Sequence, residues 1–295
     1  MKNNNPKISV VIPVLNGAAT LEKCLASVLD QTFIDYEVII VDNGSTDKTK
    51  EIMDRFIKTS DKIIYIFEAK RGRGSARNAG IAKAGAEIIA MTDADCLVPS
   101  DWLFKISAPI INEGEIAVSG FEKNAVLNYW SKMRQEADRR SIKLKIQGGH
   151  IDRLDTKNFA IRADILKKIG FNSDLLANED WDLLLRLKKE GLKIKFLSDL
   201  LVSHYHDSSC RELIATQYSR GQAAAKIIKL YRHEAVLQEF LKNDENAKSF
   251  RFRNYLLFLP WAIWQFLRNP YEAPYLVIAD LAWKIGGLSS KRLFK

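Results

Sequence analysis

Between residues 8 and 92, short apolar runs alternate with amphipathic stretches, and that order restricts the chain to one broad class of fold. Ile8–Pro13, Glu37–Val41, Ile63–Phe67 and Ile88–Thr92 are apolar without a two-residue alternation, so they read as strands buried on both faces. Between them, Thr20–Leu29 gathers Leu21, Leu25 and Val28 on one helical face. Ser45-Thr46-Asp47 is a capping cluster for a second helix, reaching about Lys58, with Ile52, Met53, Phe56 and Ile57 as its apolar side. Ser75–Ala84 reads as a third helix. Buried strands joined by amphipathic helices imply an α/β fold, with a mostly parallel sheet covered on both faces.

Such sheets bind ligands in the crevice beyond the carboxyl ends of their strands, so the polar residues that follow each run are the functional candidates. These are Pro13 to Asn16 after the first run, Asp42-Asn43-Gly44-Ser45 after the second, and Asp93-Ala94-Asp95 after the fourth. Asp93 and Asp95 leave a buried strand as a pair of acids, and a hard divalent cation shared with a diphosphate would account for their charge. The glycine-rich stretch from Arg71 to Gly80 enters the third helix and can offer backbone N–H groups and arginines to phosphate.

Seven strings in fixed order resemble the family-2 inverting glycosyltransferases: SVVIPVLNG (9–17), VIIVDNGSTDKT (38–49), GSARNAG (74–80), MTDADC (91–96), NFAIRAD (158–164), NEDWDLLLRL (178–187) and VSHYH (202–206). The resemblance implies a GT-A fold: a Rossmann-like, mostly parallel sheet with helices on both faces, here followed by a helical C-terminal appendage. It places a catalytic domain at 1–210, with the donor half at about 1–120 and the acceptor half at 121–210, and a separate region at 211–295. It implies that Asp42 bonds the nucleotide base beside Pro13 and Asn16, with Asn43 where the family more often has a second Asp. Arg77 would reach the ribose or phosphates, and Asp93 the ribose or a metal-bound water. Asp95 would hold Mg²⁺ or Mn²⁺, joined by His204. Asp180 would be the base that takes the acceptor's proton, with Glu179 and Trp181 on the acceptor side. Helix N-termini favour anions, which suits acids at the start of the Leu183–Leu187 run. The expected partners are a nucleotide-diphospho-sugar, foremost a UDP-sugar, and a glycan or lipid-linked acceptor.

Net charge is +9, which invites a nucleic-acid reading until its placement is considered. Residues 1–210 hold 31 Lys and Arg against 29 Asp and Glu, whereas 211–295 hold 14 against 7. The excess surrounds two apolar stretches, Tyr255–Leu267 and Ala273–Leu288, that follow a long helical region at Ser209–Leu241. Basic residues beside Trp- and Tyr-rich segments suit an anionic membrane surface at 248–295 rather than a nucleic acid. The first stretch contains Pro260 and the second Asp280 and Lys284, so neither makes a span of roughly 20 apolar residues. Packing of both stretches as ordinary helices is the other reading. Three scattered cysteines and an N-terminus without a cleavage signal point to the cytoplasm, peripheral to the membrane. Two other functions stay open: a metal-dependent nucleotidyltransferase, although Val14 to Gly17 holds one glycine, and a catalytically silent sugar-nucleotide or glycan-binding module.

Overall fold

The computed structural model describes residues 6–126, 128–143, 145–205, 209–243 and 258–292. It contains the expected α/β order. The strands are β1 (Ile8–Val14), β2 (Tyr36–Asp42), β3 (Ile63–Phe67) and β4 (Ile88–Met91), with α1 (Leu21–Leu29), α2 (Thr49–Thr59) and α3 (Arg73–Lys83) between them. All four strands are parallel, in the order β3-β2-β1-β4. Strand β1 lies inside the sheet, and its Ile8, Val10, Val11 and Ile12 are inaccessible to solvent. Full burial of such side chains contributes ~1.5–3 kcal/mol each, which explains why the run does not alternate.

Two faces of the sheet are covered by different helices. Ile8, Val10 and Ile12 pack with Leu21, Leu25 and Val28 of α1, Ile52 and Met53 of α2, and Trp102 and Leu103 of α4 (Trp102–Glu113). Val11 points the other way, where α3 brings Gly80 against Val11 and Val41. Because α3 returns antiparallel to the strands, Arg77, one turn before Gly80, lies nearer their carboxyl ends.

Beyond β4 the sheet is mixed. Strand β9 (Phe159–Arg162) pairs antiparallel with β4 and with β6 (Ala117–Asn124), and β6 then pairs parallel with β10 (Ile194–His204). Short strands finish this side: β5 (Cys96–Leu97) on β10, and the hairpin β7 (Ile146–Gln147) and β8 (His150–Ile151). The β6–β10 register shifts between Leu197 and Leu201. Asn158 fills that irregularity: its amide donates to Phe121 O at 3.1 Å and Leu200 O at 2.9 Å, and accepts from Trp102 Nε1 at 2.9 Å. A Cβ on Gly120 would lie 2.2 Å from the Asn158 amide nitrogen, so only glycine leaves room for this clasp.

The chain forms two compact units. The first comprises the described residues through Val126, Arg139–Leu175, and Glu179 to the end of β10, including α6 (Ala163–Ile169) and α7 (Glu179–Lys189). The second gathers more than the C-terminal segment, because 128–138, which begins α5 (Tyr129–Lys143), and Leu176–Asn178 belong to it. The long helical region there is two helices, α8 (Cys210–Tyr231) and α9 (Ala235–Asn243), interrupted at Arg232 to Glu234. The apolar stretches give α10 (Phe258–Arg268) and α11 (Ala273–Arg292). Within this unit α8 and α11 cross closely at Gly221 and Gly286, where a Cβ would lie 2.0 Å from Trp283 O and from Tyr218 O respectively. No helix among the described residues is long and apolar enough to cross a membrane.

Candidate active site

The sheet's carboxyl edge assembles a polar cluster within the first unit, with Arg77 at its centre. Arg77 is 1% exposed, and its two terminal nitrogens reach acids from distant parts of the chain. Nη1 donates to Glu179 Oε1 at 2.6 Å and Nη2 to Asp93 Oδ1 at 3.0 Å. Burial opposes the guanidinium charge, but Asp93 and Glu179 outweigh it and push its pKa above the usual range. Arg77 thus ties the acid after β4 to the first turn of α7, where the sequence expectation had it reaching the ligand's ribose or phosphates. Glu179 is 3% exposed and is held in the same pair.

The end of α6 and the segment that follows it are tied to both α3 and α7. Asn78 exchanges two hydrogen bonds with Phe171, its amide donating to Phe171 O and accepting from Phe171 N at 2.8 Å each. Inside α7, Asp182 is fully buried and accepts from Arg186 Nη2 at 2.6 Å, while Arg186 Nη1 donates to Ile169 O. Asp180, in contrast, is half-buried, and its Oδ1 accepts from the Trp181 backbone N–H at 2.8 Å. Trp181 is half-buried beside it.

Strand register brings Asp95 and His204 together. His204 stands opposite Cys96 in the β10–β5 pair, and Tyr205 N donates to Asp95 O at 2.8 Å. His204 Nε2 consequently lies 3.1 Å from Asp95 Oδ2. Burial resists ionisation of Asp95, yet its bond to His204 and the charges of His204 and Lys157 hold its pKa down at about 2. That carboxylate is therefore anionic across the physiological range. Ligand atoms of Asp95, Cys96 and His204 all lie within 4.8 Å of one another, so this corner could hold a metal ion. Cys96 is the weakest donor of the set, because burial and the two neighbouring Asp charges push its thiol pKa well up. His206 lies outside the described residues.

The residues expected around the base occupy the β1 and β2 ends. Pro13 is partly exposed, and Asn16 is exposed with φ 53°, a left-handed conformation that Asn tolerates. Asn16 holds the following loop, its N–H donating to Ser45 Oγ and its Oδ1 accepting from Thr46 N. Asp42 is 3% exposed and accepts from Ser45 N at 2.9 Å. Asn43 is an internal clasp: Nδ2 donates to Glu68 O and Lys70 O, and Oδ1 accepts from Gly72 N. An Asp here would face two carbonyls with no donor, which explains the amide. Asn43→Asp is expected to cost about 1–3 kcal/mol, read from urea denaturation, and to loosen the glycine-rich loop.

A sequence profile described as "Glycosyl transferase family 2" matches residues 9–170. The chain is also 30% identical over 236 residues to glycosyltransferase AglE of Haloferax volcanii, covering 79% of this chain and 77% of that protein. The chain belongs to glycosyl transferase family 2. An uncharacterised glycosyltransferase of Rickettsia typhi is 26% identical over 249 residues, covering 80% of this chain and 77% of the relative. The fold of this family 2 glycosyltransferase is similar to that of the mannosyltransferase PcManGT from Pyrobaculum calidifontis, with a TM-score of 0.69 at 20% identity over 98% of this chain and 89% of that one. It is also similar to S. aureus TarS 1–349, with a TM-score of 0.62 at 17% identity over 98% and 92% of the two chains. These are GT-A structures, so the expected architecture holds.

Several residues of this family 2 site were not foreseen from sequence. Lys157 Nζ bridges Asp155 Oδ1 at 2.8 Å and Glu122 Oε2 at 2.9 Å, and Arg153 lies 3.7 Å from Asp155. Burial raises the pKa of Asp155, with Asp180 and Asp93 adding to the rise against Arg153. The run Arg153-x-Asp155-x-Lys157 directly before NFAIRAD was a usable signal. Glu122 gave none, being an ordinary charge near the end of a strand.

Proposed function

We propose that this glycosyltransferase is inverting and metal-dependent, moving a sugar from a nucleotide-diphospho-sugar, foremost a UDP-sugar, to a hydroxyl of a glycan or lipid-linked acceptor. The observation that carries the reading is the convergence of Asp93, Asp95, His204, Glu179 and Asp180 on one edge of the sheet, with Arg77 joining Asp93 to the helix that bears Asp180. Asp95 and His204 would hold the ion: an ionised carboxylate suits Mg²⁺ or Mn²⁺, and the imidazole shifts the preference toward a transition ion. Bound there, the ion would neutralise charge on the departing diphosphate. PcManGT was solved with GDP-Man and Mn²⁺, and TarS 1–349 with UDP-GlcNAc, which supports a nucleotide-sugar and leaves the base to experiment.

Asp180 sits where an anion is favoured, at the first turn of α7, and is less buried than its neighbours Glu179 and Asp182. It takes the acceptor's proton as the hydroxyl attacks opposite the leaving diphosphate. Pro13, Asn16, Asp42 and Asn43 shape the base pocket, and Trp181 faces the acceptor. The purified protein should release nucleoside diphosphate from a donor panel in the presence of Mn²⁺, and chelation should stop it. Release of pyrophosphate would instead establish a nucleotidyltransferase, and no turnover a binding module.

The second unit favours peripheral attachment to an anionic membrane, at the cytoplasmic face. Leu259, Ile263, Trp264 and Leu267 are exposed on α10, and Arg268 stacks over Trp264 at 4.9 Å. Apolar side chains flanked by arginine suit the headgroup boundary. Co-sedimentation with phosphatidylglycerol vesicles but not phosphatidylcholine vesicles is expected; equal recovery in both supernatants would remove this part of the reading. Residues 244–257 and 293–295 of the basic segment lie outside the described residues.

A further inference from the structure

Glu122 stands in register with Val202 of β10, and His204 with Asn124 of β6, so Glu122 and His204 are diagonal neighbours on one face of the sheet. Both are buried, at 7% and 5% exposure. A carboxylate at that depth is costly unless it is paired, and Lys157 supplies the pairing at 2.9 Å while its other contact holds Asp155. The same Glu122 oxygen lies 3.4 Å from His204 Nδ1, on the inner edge of the ring. Nε2, on the outer edge, lies beside Asp95.

We propose that Glu122 is a positioning residue that accepts the Nδ1 proton of His204, keeping the Nε2 lone pair turned toward the metal position next to Asp95, with Lys157 holding Glu122 in place. The inference rests on His204 and Asp95 being metal ligands. A ligating histidine commonly gives its second ring proton to a carboxylate, which fixes tautomer and ring orientation. Glu122→Gln perturbs this without changing shape. The amide oxygen would take the place of the shared oxygen and face both Lys157 and Nδ1 as a neutral acceptor, so its hold on the Nδ1 proton and on Lys157 would weaken together.

Mn²⁺ affinity, read by electron paramagnetic resonance of the free ion, tests the proposal without an activity assay. Glu122→Gln is expected to weaken Mn²⁺ binding ~10–100-fold, and His204→Ala at least as much. In the double variant the Glu122 change should add nothing, because its effect passes through His204. Wild-type affinity in Glu122→Gln, or an undiminished loss on top of His204→Ala, would overturn the positioning role. Wild-type affinity in His204→Ala would instead overturn the ligand reading. If Glu122→Gln does not fold, ¹⁵N spectra of histidine-labelled wild-type protein with Mg²⁺ decide: a proton on Nδ1 is expected, and a proton on Nε2 refutes the proposal.

Discussion

Replacement of Asp180 by Asn is expected to lower glycosyl transfer by roughly 10²–10⁴-fold, the range for loss of a general base, while donor affinity stays close to wild type. The substitution is well suited to the question. Asn keeps the oxygen that accepts from Trp181 N–H, so the first turn of α7 retains its local bond. The Arg77 pairs with Glu179 and Asp93 use other atoms and are not disturbed. What disappears is a partly exposed carboxylate at a helix N-terminus, the group able to receive a proton. The effect should therefore fall on kcat, with the donor dissociation constant from calorimetry nearly unchanged. A variant with full kcat would remove Asp180 from the chemistry and direct attention to Asp155, whose raised pKa reflects burial first and then the charges of Asp180 and Asp93.

Asp95→Ala should abolish metal-stimulated turnover, a loss of several kcal/mol of charge stabilisation or roughly two to three orders of magnitude in rate. The fold should persist, because Asp95 is partly exposed, with 38% of its side chain accessible, and its backbone carbonyl still accepts from Tyr205. Asp93→Ala should behave differently. It would strip one of two acids from a fully buried arginine and weaken the tie to α7, so stability should fall together with activity. Thermal melts of the two variants, set beside Mn²⁺ binding, separate these outcomes. Loss of Mn²⁺ binding with a smaller fall in melting temperature than in Asp93→Ala is expected for Asp95→Ala; an unchanged response of turnover to Mn²⁺ would contradict it.

The first ninety residues were legible because buried parallel strands leave a direct trace in sequence. The observed strands match the expected ones within a residue or two: β1 and β4 are buried along nearly their whole length, whereas β3, at the sheet's edge, is only partly buried and keeps its apolar run all the same. Candidate residues after each strand were legible for the related reason that the carboxyl edge is where such sheets place polar groups. Less visible was what those groups do for one another. Arg77 reads as a phosphate ligand in a glycine-rich loop, but its burial beside Asp93 and Glu179 depends on contacts 16 and 102 residues away. Asn43 reads as a weakened acid until the carbonyls of Glu68 and Lys70 are seen beside it. Glu122 was illegible because the β6–β10 register that brings it beside His204 has no local signature.

The shared guanidinium of Arg77 also bears on how segments of the first unit can be exchanged between relatives. A segment grafted from another family member at α7 would arrive with its own residue opposite Arg77. Unless that residue is an acid of Glu179's reach, the graft would leave a buried cation with Asp93 alone of its two acids, a loss of up to about 3–5 kcal/mol. Chimeras meant to retune acceptor choice should therefore treat residues 77, 93 and 179 as one inherited block, with crossover points placed so that none of the three changes parent alone.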